Sequence, residues 1–246
     1  VTTVDGFENS GRWDRSPESL ERNVKSTRRG RSFGGRTELT RKAHSEELSW
    51  PGDGWSHYHP RTEWGLANCA VEWERDTWRL IQQGWLQLTD FRPRTKKNNV
   101  LLAPSLLVYA LLEHKQTGVE MELGAAHMNL HNTEARDRAW HEEADTLNKH
   151  YRRKHRLRPD RVLTFLADVN RTQRLRSNQE LLARTIMPRT GMRNLWVGDL
   201  PPGNQGTHGR SVLDVCLTTA PGKIYLLPDD ASSDHRPFGV TLRIKR

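Results

Sequence analysis

Seven polar side chains stand at or beside places where the surrounding residues predict a β-strand to begin or end. Glu8 follows VTTVDGF, His127 closes VEMELGAA, and Asp168 and Asn170 follow VLTFLA. Asp234 and His235 come just before FGVTLRI, and Asp214 lies inside SVLDVCLTT, where an apolar residue is expected. Acids and imidazoles at the same ends of several strands of one sheet converge on one cleft. An acid within an apolar strand is costly unless it is paired. The chemistry open to such a set is hydrolytic. A carboxylate orients water, a histidine backed by an aspartate is a cationic donor near neutral pH, and carboxylates hold hard divalent cations. Taken singly, each residue is more readily a turn, cap or packed polar group, so the ordered set carries the argument.

Other constellations fail on spacing. His141-Glu142-Glu143 lacks the second histidine of H-E-x-x-H, and GDLPPGNQG at 198–206 carries two prolines and no Lys-Ser/Thr, so it is not a phosphate loop. Cys69 and Cys216 show no C-x-x-C spacing and no pattern that argues for a disulfide. His57 and His59 lack an evident fourth ligand even with His131 or Cys69. The tryptophans near the long polar stretch, Trp50, Trp55 and Trp64, suit core packing better than base stacking.

The elements that must position the set can be read from periodicity. Strands are predicted at 1–7, 68–74, 78–88, 105–114, 119–127, 161–168, 211–218, 223–227 and 238–244. The segments 68–74 and 78–88 read as a strand pair around a turn at Arg75-Asp76, and 105–114 with 119–127 as a hairpin across Lys115–Gly118. Helices are predicted at 133–156, where Ala135, Ala139, Leu147 and Tyr151 fall near a 3.6-residue period, and at 178–185. Residues 10–54 read as one long basic loop with a short helix near 17–24. The implied class is α+β: two packed, mostly antiparallel sheets with helices outside, in one domain over 1–246.

Composition bounds the partners. Of 246 residues, 39 are Lys or Arg and 30 Asp or Glu, a formal charge of +9. Eight cations fall between Arg22 and Lys42 and seven between Lys149 and Arg161, each run holding a single acid. Such runs neutralise phosphates and release counterions, which favours nucleic acid, DNA or RNA, as partner; the plain alternative is a solvated face. Arg28, Arg29, Arg31, Arg152, Arg153 and Lys154 are the candidate contacts. The longest apolar run, Val100 to Leu112, is too short and too interrupted for a transmembrane segment. VTTVDGFENS has no charged segment leading into an apolar one, so the reading is a chain without a signal peptide and an intracellular setting. The missing initiator Met suits a piece of a longer chain or assembly.

In order, the stretches GFEN (6–9), NCAVEWERDTWRL (68–80), AAHMN (125–129), LADVNR (166–171), SVLDVCLTT (211–219) and SSDHRPFGV (232–240) resemble the endonuclease/exonuclease/phosphatase superfamily, the DNase I-like metal-dependent phosphodiesterases. The resemblance spans nearly the whole chain, and its last motif is the specific one. It implies a four-layer α/β/β/α sandwich. It also implies Mg²⁺, with Mn²⁺ as substitute, held by Glu8 and Asp234. By the same likeness Asp168 would orient or deprotonate the attacking water, and Asn170 would hold that water or the phosphate. His127 would hydrogen-bond a phosphate oxygen or assist the leaving group, His235 would contact the scissile phosphate, and Asp214 would fix the tautomer of His235. The pattern departs at Ala126, Ala167 and Phe7, where the family favours Thr, Gly and Gln. Set against the family, the chain begins one strand late, so a first strand and its metal-placing Asn would lie upstream of Val1. The expected activity is Mg-dependent hydrolysis of nucleic-acid phosphodiesters by an endonuclease. The alternatives are a non-catalytic nucleic-acid-binding or structural domain, and a hydrolase of another phosphate ester.

Overall fold

In the computed structural model, residues 28, 30–37, 54–94, 99, 101–227 and 235–244 are described. The strands are β1 (Phe33–Arg36), β2 (Trp55–Tyr58), β3 (Arg61–Thr62), β4 (Gly65–Leu66), β5 (Ala70–Glu74), β6 (Trp78–Gln87), β7 (Leu106–His114), β8 (Glu120–His127), β9 (Val162–Asp168), β10 (Arg193–Asn194), β11 (Asp214–Thr218), β12 (Gly222–Leu226) and β13 (Phe238–Leu242). Among the described residues two helices join them, α1 (Glu134–Leu157) and α2 (Arg176–Thr185).

The central sheet has six strands in the order β10-β11-β9-β8-β7-β6. Its only parallel pair is β8 with β9. That pair needs a crossover, and α1 supplies it. A second sheet, β1-β5-β2, is antiparallel and packs across β7, β8 and β9. Two two-stranded sheets, β12-β13 and β3-β4, complete the described strands. The α+β class with two packed, mostly antiparallel sheets is what the structure shows.

Alternation in β8 and β9 sorts their faces. Gly35 in β1 lies so close to Ala125 and Leu166 that an added Cβ would meet them at 3.1–3.2 Å. The next residue on the other face, Gly124, lies against the Tyr151 hydroxyl of α1. Odd residues of β8 and even residues of β9 therefore face the second sheet, and their neighbours face the helix.

Helix α1 begins at Thr133, whose side chain accepts from the Arg136 amide, and carries acids in its first turn and bases in its last, matching the helix dipole. Its buried stripe is Ala139, Trp140, Glu143, Ala144, Leu147 and Tyr151. Ala135, expected in that stripe, is exposed.

Two expectations are corrected. The segments 68–74 and 78–88 do not pair. β5 lies between β1 and β2 in the second sheet, whereas β6 is the edge of the first, so the turn at 75–77 crosses between sheets. The stretch 10–54 is not one loop throughout, because 33–36 is a buried strand. Gly34 and Gly35 give that strand weak propensity, and close packing on Leu166 and Ala125 overrides it. The predicted strand at 1–7 and helix near 17–24 lie outside the described residues. Among the described residues no helix is long and apolar enough to cross a membrane. Cys69 and Cys216 are both free and buried, and burial pushes the Cys216 thiol up to about 12.

Candidate active site

The site starts from register. His127 in β8 pairs with Asp168 in β9, and Asp168 pairs with Asp214 in β11. Residues directly opposite across a ladder share a face. These three therefore form one row across three adjacent strands, on the face toward the second sheet and at one end of it. His235 comes from the segment before β13 and closes the row. Its Nδ1 lies 2.8 Å from Asp214 Oδ2, and its Nε2 lies 3.8 Å from Asp168 Oδ2. His127 Nε2 is 3.6 Å from the same oxygen of Asp168.

Both strand ends are built to hold this row. The Asn170 amide donates to Asp168 Oδ1 at 2.7 Å, and its side-chain Nδ2 donates to the Met128 carbonyl at 2.7 Å. Asn170 adopts φ 51, a left-handed conformation that asparagine tolerates and that the reversal after β9 requires. The indole N–H groups of two buried tryptophans fix the backbone on either side. Trp140 donates to the Val169 carbonyl at 2.9 Å and Trp196 to the Asp214 carbonyl at 2.7 Å. Glu143, buried on α1, accepts from the Asn129 amide at 2.9 Å and from its side chain, which anchors the chain just past His127.

A loop that the sequence did not mark brings His235 into place. The Thr207 hydroxyl accepts from the amides of Leu213 and Asp214, and its carbonyl accepts from the Arg236 amide. Next to it, His208 bridges His235 through the backbone, and the two rings lie tilted against each other with centroids 4.8 Å apart. Arg174 gathers the carbonyls of Pro201, Pro202, Gln205 and Arg210 and so ties the loop down. Thr207, His208, Arg174, Trp140, Trp196 and Glu143 have no local signature. Only the excess of tryptophan and the unexplained Glu in an apolar helix stripe were visible in the sequence.

Electrostatics separate Asp168 from an ordinary carboxylate. Burial, then the charge of Asp214, pushes its pKa up, while His127, His235 and the Asn170 amide pull it back. Burial likewise raises Glu143. Asp168, Asp214 and His235 present ligand atoms within 4.8 Å of one another, the one such group among the described residues. Asp214 Oδ1 is buried and has no hydrogen-bond partner. Two neighbouring buried carboxylates and an unpartnered oxygen fit a divalent cation with a preference for oxygen donors.

The structure brings His127, Asp168, Asn170, Asp214 and His235 together. Glu8, Asp234 and Arg29 lie outside the described residues. The basic candidates are sorted differently from the expectation. Arg28 is buried and paired with Glu72 at 2.8 Å, which makes it a core charge and not a solvated phosphate contact. Arg31 is half-buried. Lys154 pairs with buried Glu122 at 2.8 Å, which clamps α1 to β8. Arg152 and Arg153 are exposed near the C-terminal end of α1, at the end of the sheet opposite the row. His59 Nε2 is bonded to the Ala67 carbonyl.

Neither a family model nor a curated protein sequence matches the chain. Solved structures do. An endonuclease/exonuclease/phosphatase family protein from Bacteroides thetaiotaomicron aligns with a TM-score of 0.68 at 16% identity, covering 98% of this chain and 96% of that one. TDP2 of D. rerio, solved with a single-strand DNA product, aligns with a TM-score of 0.64 at 13% identity over 97% and 96%. A mannosyl-6-phosphatase from the same Bacteroides species aligns with a TM-score of 0.64 at 16% identity over 99% of both chains. The chain has the DNase I-like fold of endonuclease/exonuclease/phosphatase proteins.

Proposed function

We propose that this chain is a divalent-metal-dependent phosphodiester hydrolase acting on nucleic acid, with endonuclease activity. The observation that carries the reading is the row His127–Asp168–Asp214 on three neighbouring strands, with His235 held by Asp214 at 2.8 Å. Phosphodiester hydrolysis must stabilise an added negative charge on phosphorus and a departing alkoxide, and the row supplies donors for that charge beside a base.

Asp214 accepts the Nδ1 proton of His235, which leaves Nε2 as the nitrogen directed at the substrate. Nε2 of His235 and of His127 flank Asp168 Oδ2, so a phosphoryl oxygen placed between the imidazoles sits next to that carboxylate. Asp168 orients the attacking water and takes its proton. A raised pKa makes it a better proton acceptor near neutrality than an exposed aspartate. Asn170 spends one amide hydrogen on Met128 and directs the other to the water or the phosphate. By the sequence resemblance Glu8 and Asp234 would hold Mg²⁺, or Mn²⁺ in its place, beside the buried carboxylates of Asp168 and Asp214. Bound there, the cation supplies Lewis-acid stabilisation of the phosphoryl oxygens and the leaving oxygen.

The fold does not select the substrate, since one of the similar structures is a mannosyl-6-phosphatase. The net charge of +9 favours a polyanion. The test is plasmid nicking by the purified chain with Mg²⁺ and then with EDTA, alongside His235→Ala and Asp234→Ala. Metal-dependent nicking by the parent and its loss in both variants is the expected result. Binding without nicking by a folded parent would make the chain a binding module, and full activity of both variants would overturn the site.

A further inference from the structure

The basic run at the end of α1 is divided by its partners. Lys149 pairs with Asp145, Lys154 with Glu122, Arg158 with Asp160 and Glu120, and Arg161 with Glu120. Arg152, Arg153 and Arg156 make no ion pair or hydrogen bond among the described residues and stay exposed. They do not simply point into bulk water. Together with Lys149, His155 and Arg189 they line a cleft of about 570 Å³.

The wall opposite α1 is held in place for this. Asn148 donates to the carbonyls of Ile186 and Pro188, fixing the loop that carries Arg189. Arg189 itself adopts φ 59, a conformation that costs a non-glycine residue energy and that packing must enforce. Gly191, at φ 70, leaves room for the His155 ring, which an added Cβ would meet at 3.0 Å. The Nδ1 of His155 is buried with no hydrogen-bond partner. Among the described residues, the side chains lining this concave surface include no acid, and Asp145 lies beside it as the partner of Lys149.

We propose that this cleft is a second nucleic-acid site, which grips the phosphate backbone of a single strand at a distance from the scissile bond. Counterion release from phosphates drives binding to such a cation cluster, and guanidinium forks suit phosphate oxygens. A volume of about 570 Å³ equals a cube roughly 8 Å on a side. A space of that size has room for a stretch of one backbone strand. The distance follows from the helix. Asp137 pairs with Arg171, three residues past Asp168, and fifteen residues of helix separate Asp137 from Arg152. At 1.5 Å per residue that is about 22 Å, or about seven phosphates of a stacked strand. Short substrates therefore reach the row alone, and long ones engage both places. The inference rests on the nucleic-acid reading above.

The experiment uses the full chain in EDTA, where no cleavage occurs, and reads fluorescence anisotropy of a labelled 20-nucleotide single strand over a range of salt. The variant is Arg152→Ala/Arg153→Ala/Arg156→Ala, with the corresponding triple Lys variant as a charge-retaining control and thermal melting as a fold control. The Ala variant is expected to bind at least about tenfold more weakly, with a salt slope shallower by about 2, since each single-strand phosphate contact contributes about 0.7. The Lys variant is expected to stay near the parent. Equal affinity and slope in parent and Ala variant would overturn the proposal. So would loss of co-sedimentation with phosphatidylserine vesicles while oligonucleotide binding stays intact, which would make the cleft a membrane contact. Hydrolysis of bis(p-nitrophenyl) phosphate, too small to reach the cleft, separates this from the catalytic reading. It should be abolished by His235→Ala and unchanged in the Arg variants. A parent that fails to hydrolyse it while the Ala variant loses strand binding would sink the hydrolase reading and leave the cleft standing.

Discussion

Two buried carboxylate clusters of this sandwich are built in opposite ways. Glu72 in the second sheet is 2% exposed, and the guanidinium groups of Arg28 and Arg36 approach it at 2.8 and 2.7 Å. Burial alone would push its pKa up, yet the two arginines hold it below the usual glutamate range. Asp168 in the first sheet is 1% exposed, and burial and a second carboxylate raise its pKa against the pull of the two imidazoles that are its cationic neighbours among the described residues. The first cluster is neutralised by the protein itself and holds a sheet together. The second keeps an excess of negative charge, which is useful only if a cation or a proton arrives with the reaction. The sign of the shift, more than burial, separates the structural acid from the candidate catalytic one.

The largest effect should come from breaking the neutralised cluster. Glu72→Ala deprives two buried guanidiniums of their shared carboxylate, a change that costs about 3–5 kcal/mol. Urea unfolding should show this as a large drop in midpoint. An unchanged midpoint would mean that the two clusters do not differ in kind.

Asp168→Asn should move stability the other way. The amide oxygen can still accept from the Asn170 amide, while the repulsion with Asp214 disappears. Turnover should fall at least about 100-fold, the range for a positioned acid–base group, as the midpoint at neutral pH rises. His235→Ala should match the loss of turnover without the gain in stability. A destabilised Asp168→Asn would show that this carboxylate is compensated after all.

The two clusters also have opposite pH signatures. A carboxyl whose folded pKa is raised contributes stability below its ordinary pKa of about 4 that is lost as pH rises through the folded value. Asp168 and Glu143 are of this type. A lowered carboxyl contributes above the ordinary pKa and loses that contribution as pH falls through the folded value, as for Glu72 and for Glu122, where His150 and Lys154 overcome burial. Below about pH 5, unfolding free energy measured against pH should therefore rise less steeply for Glu72→Gln than for the parent, whereas between about pH 4 and 7 it should rise more steeply for Glu143→Gln than for the parent. The same slope change in both variants would refute the assignment.

How much of this was readable before the fold depends on whether the information is local. β7, β8, β9, β11 and α1 follow from apolar periodicity, and His127 and Asp168 stand at strand ends that periodicity also marks, whereas Asp214 reads as lying within a strand and in the structure is the first residue of β11. The partnering of β5 was misread because a turn between two strands looks the same whether they pair or cross to another sheet. β1 was missed because Phe33-Gly34-Gly35-Arg36 owes its strand to packing on β8 and β9. Basic runs told the charge but not its use. Arg28 and Lys154 are spent on Glu72 and Glu122, residues 44 and 32 positions away in the chain, which no local pattern reveals. Thr207 and His208 belong to the site only because β13 returns His235 to them.

The smallest effect should fall on the supports of the row. Trp196 packs against Phe238 with the rings tilted and their centroids 6.1 Å apart, and its indole N–H reaches the Asp214 carbonyl. Trp196→Phe keeps much of the apolar volume and removes only that donor. A buried neutral hydrogen bond contributes about 0.5–1.5 kcal/mol, so stability should fall by about that amount. The effect on chemistry discriminates further. If Trp196 only fills space, turnover follows stability and is unchanged in a chain that remains folded. If it holds the β11 backbone so that Asp214 stays in register with Asp168, kcat should drop severalfold with little change in KM, because the contact orients His235 and does not bind substrate. An unchanged kcat would assign the register of the row to the ladder alone and leave Trp196 as packing, no different in kind from the residues around Glu72.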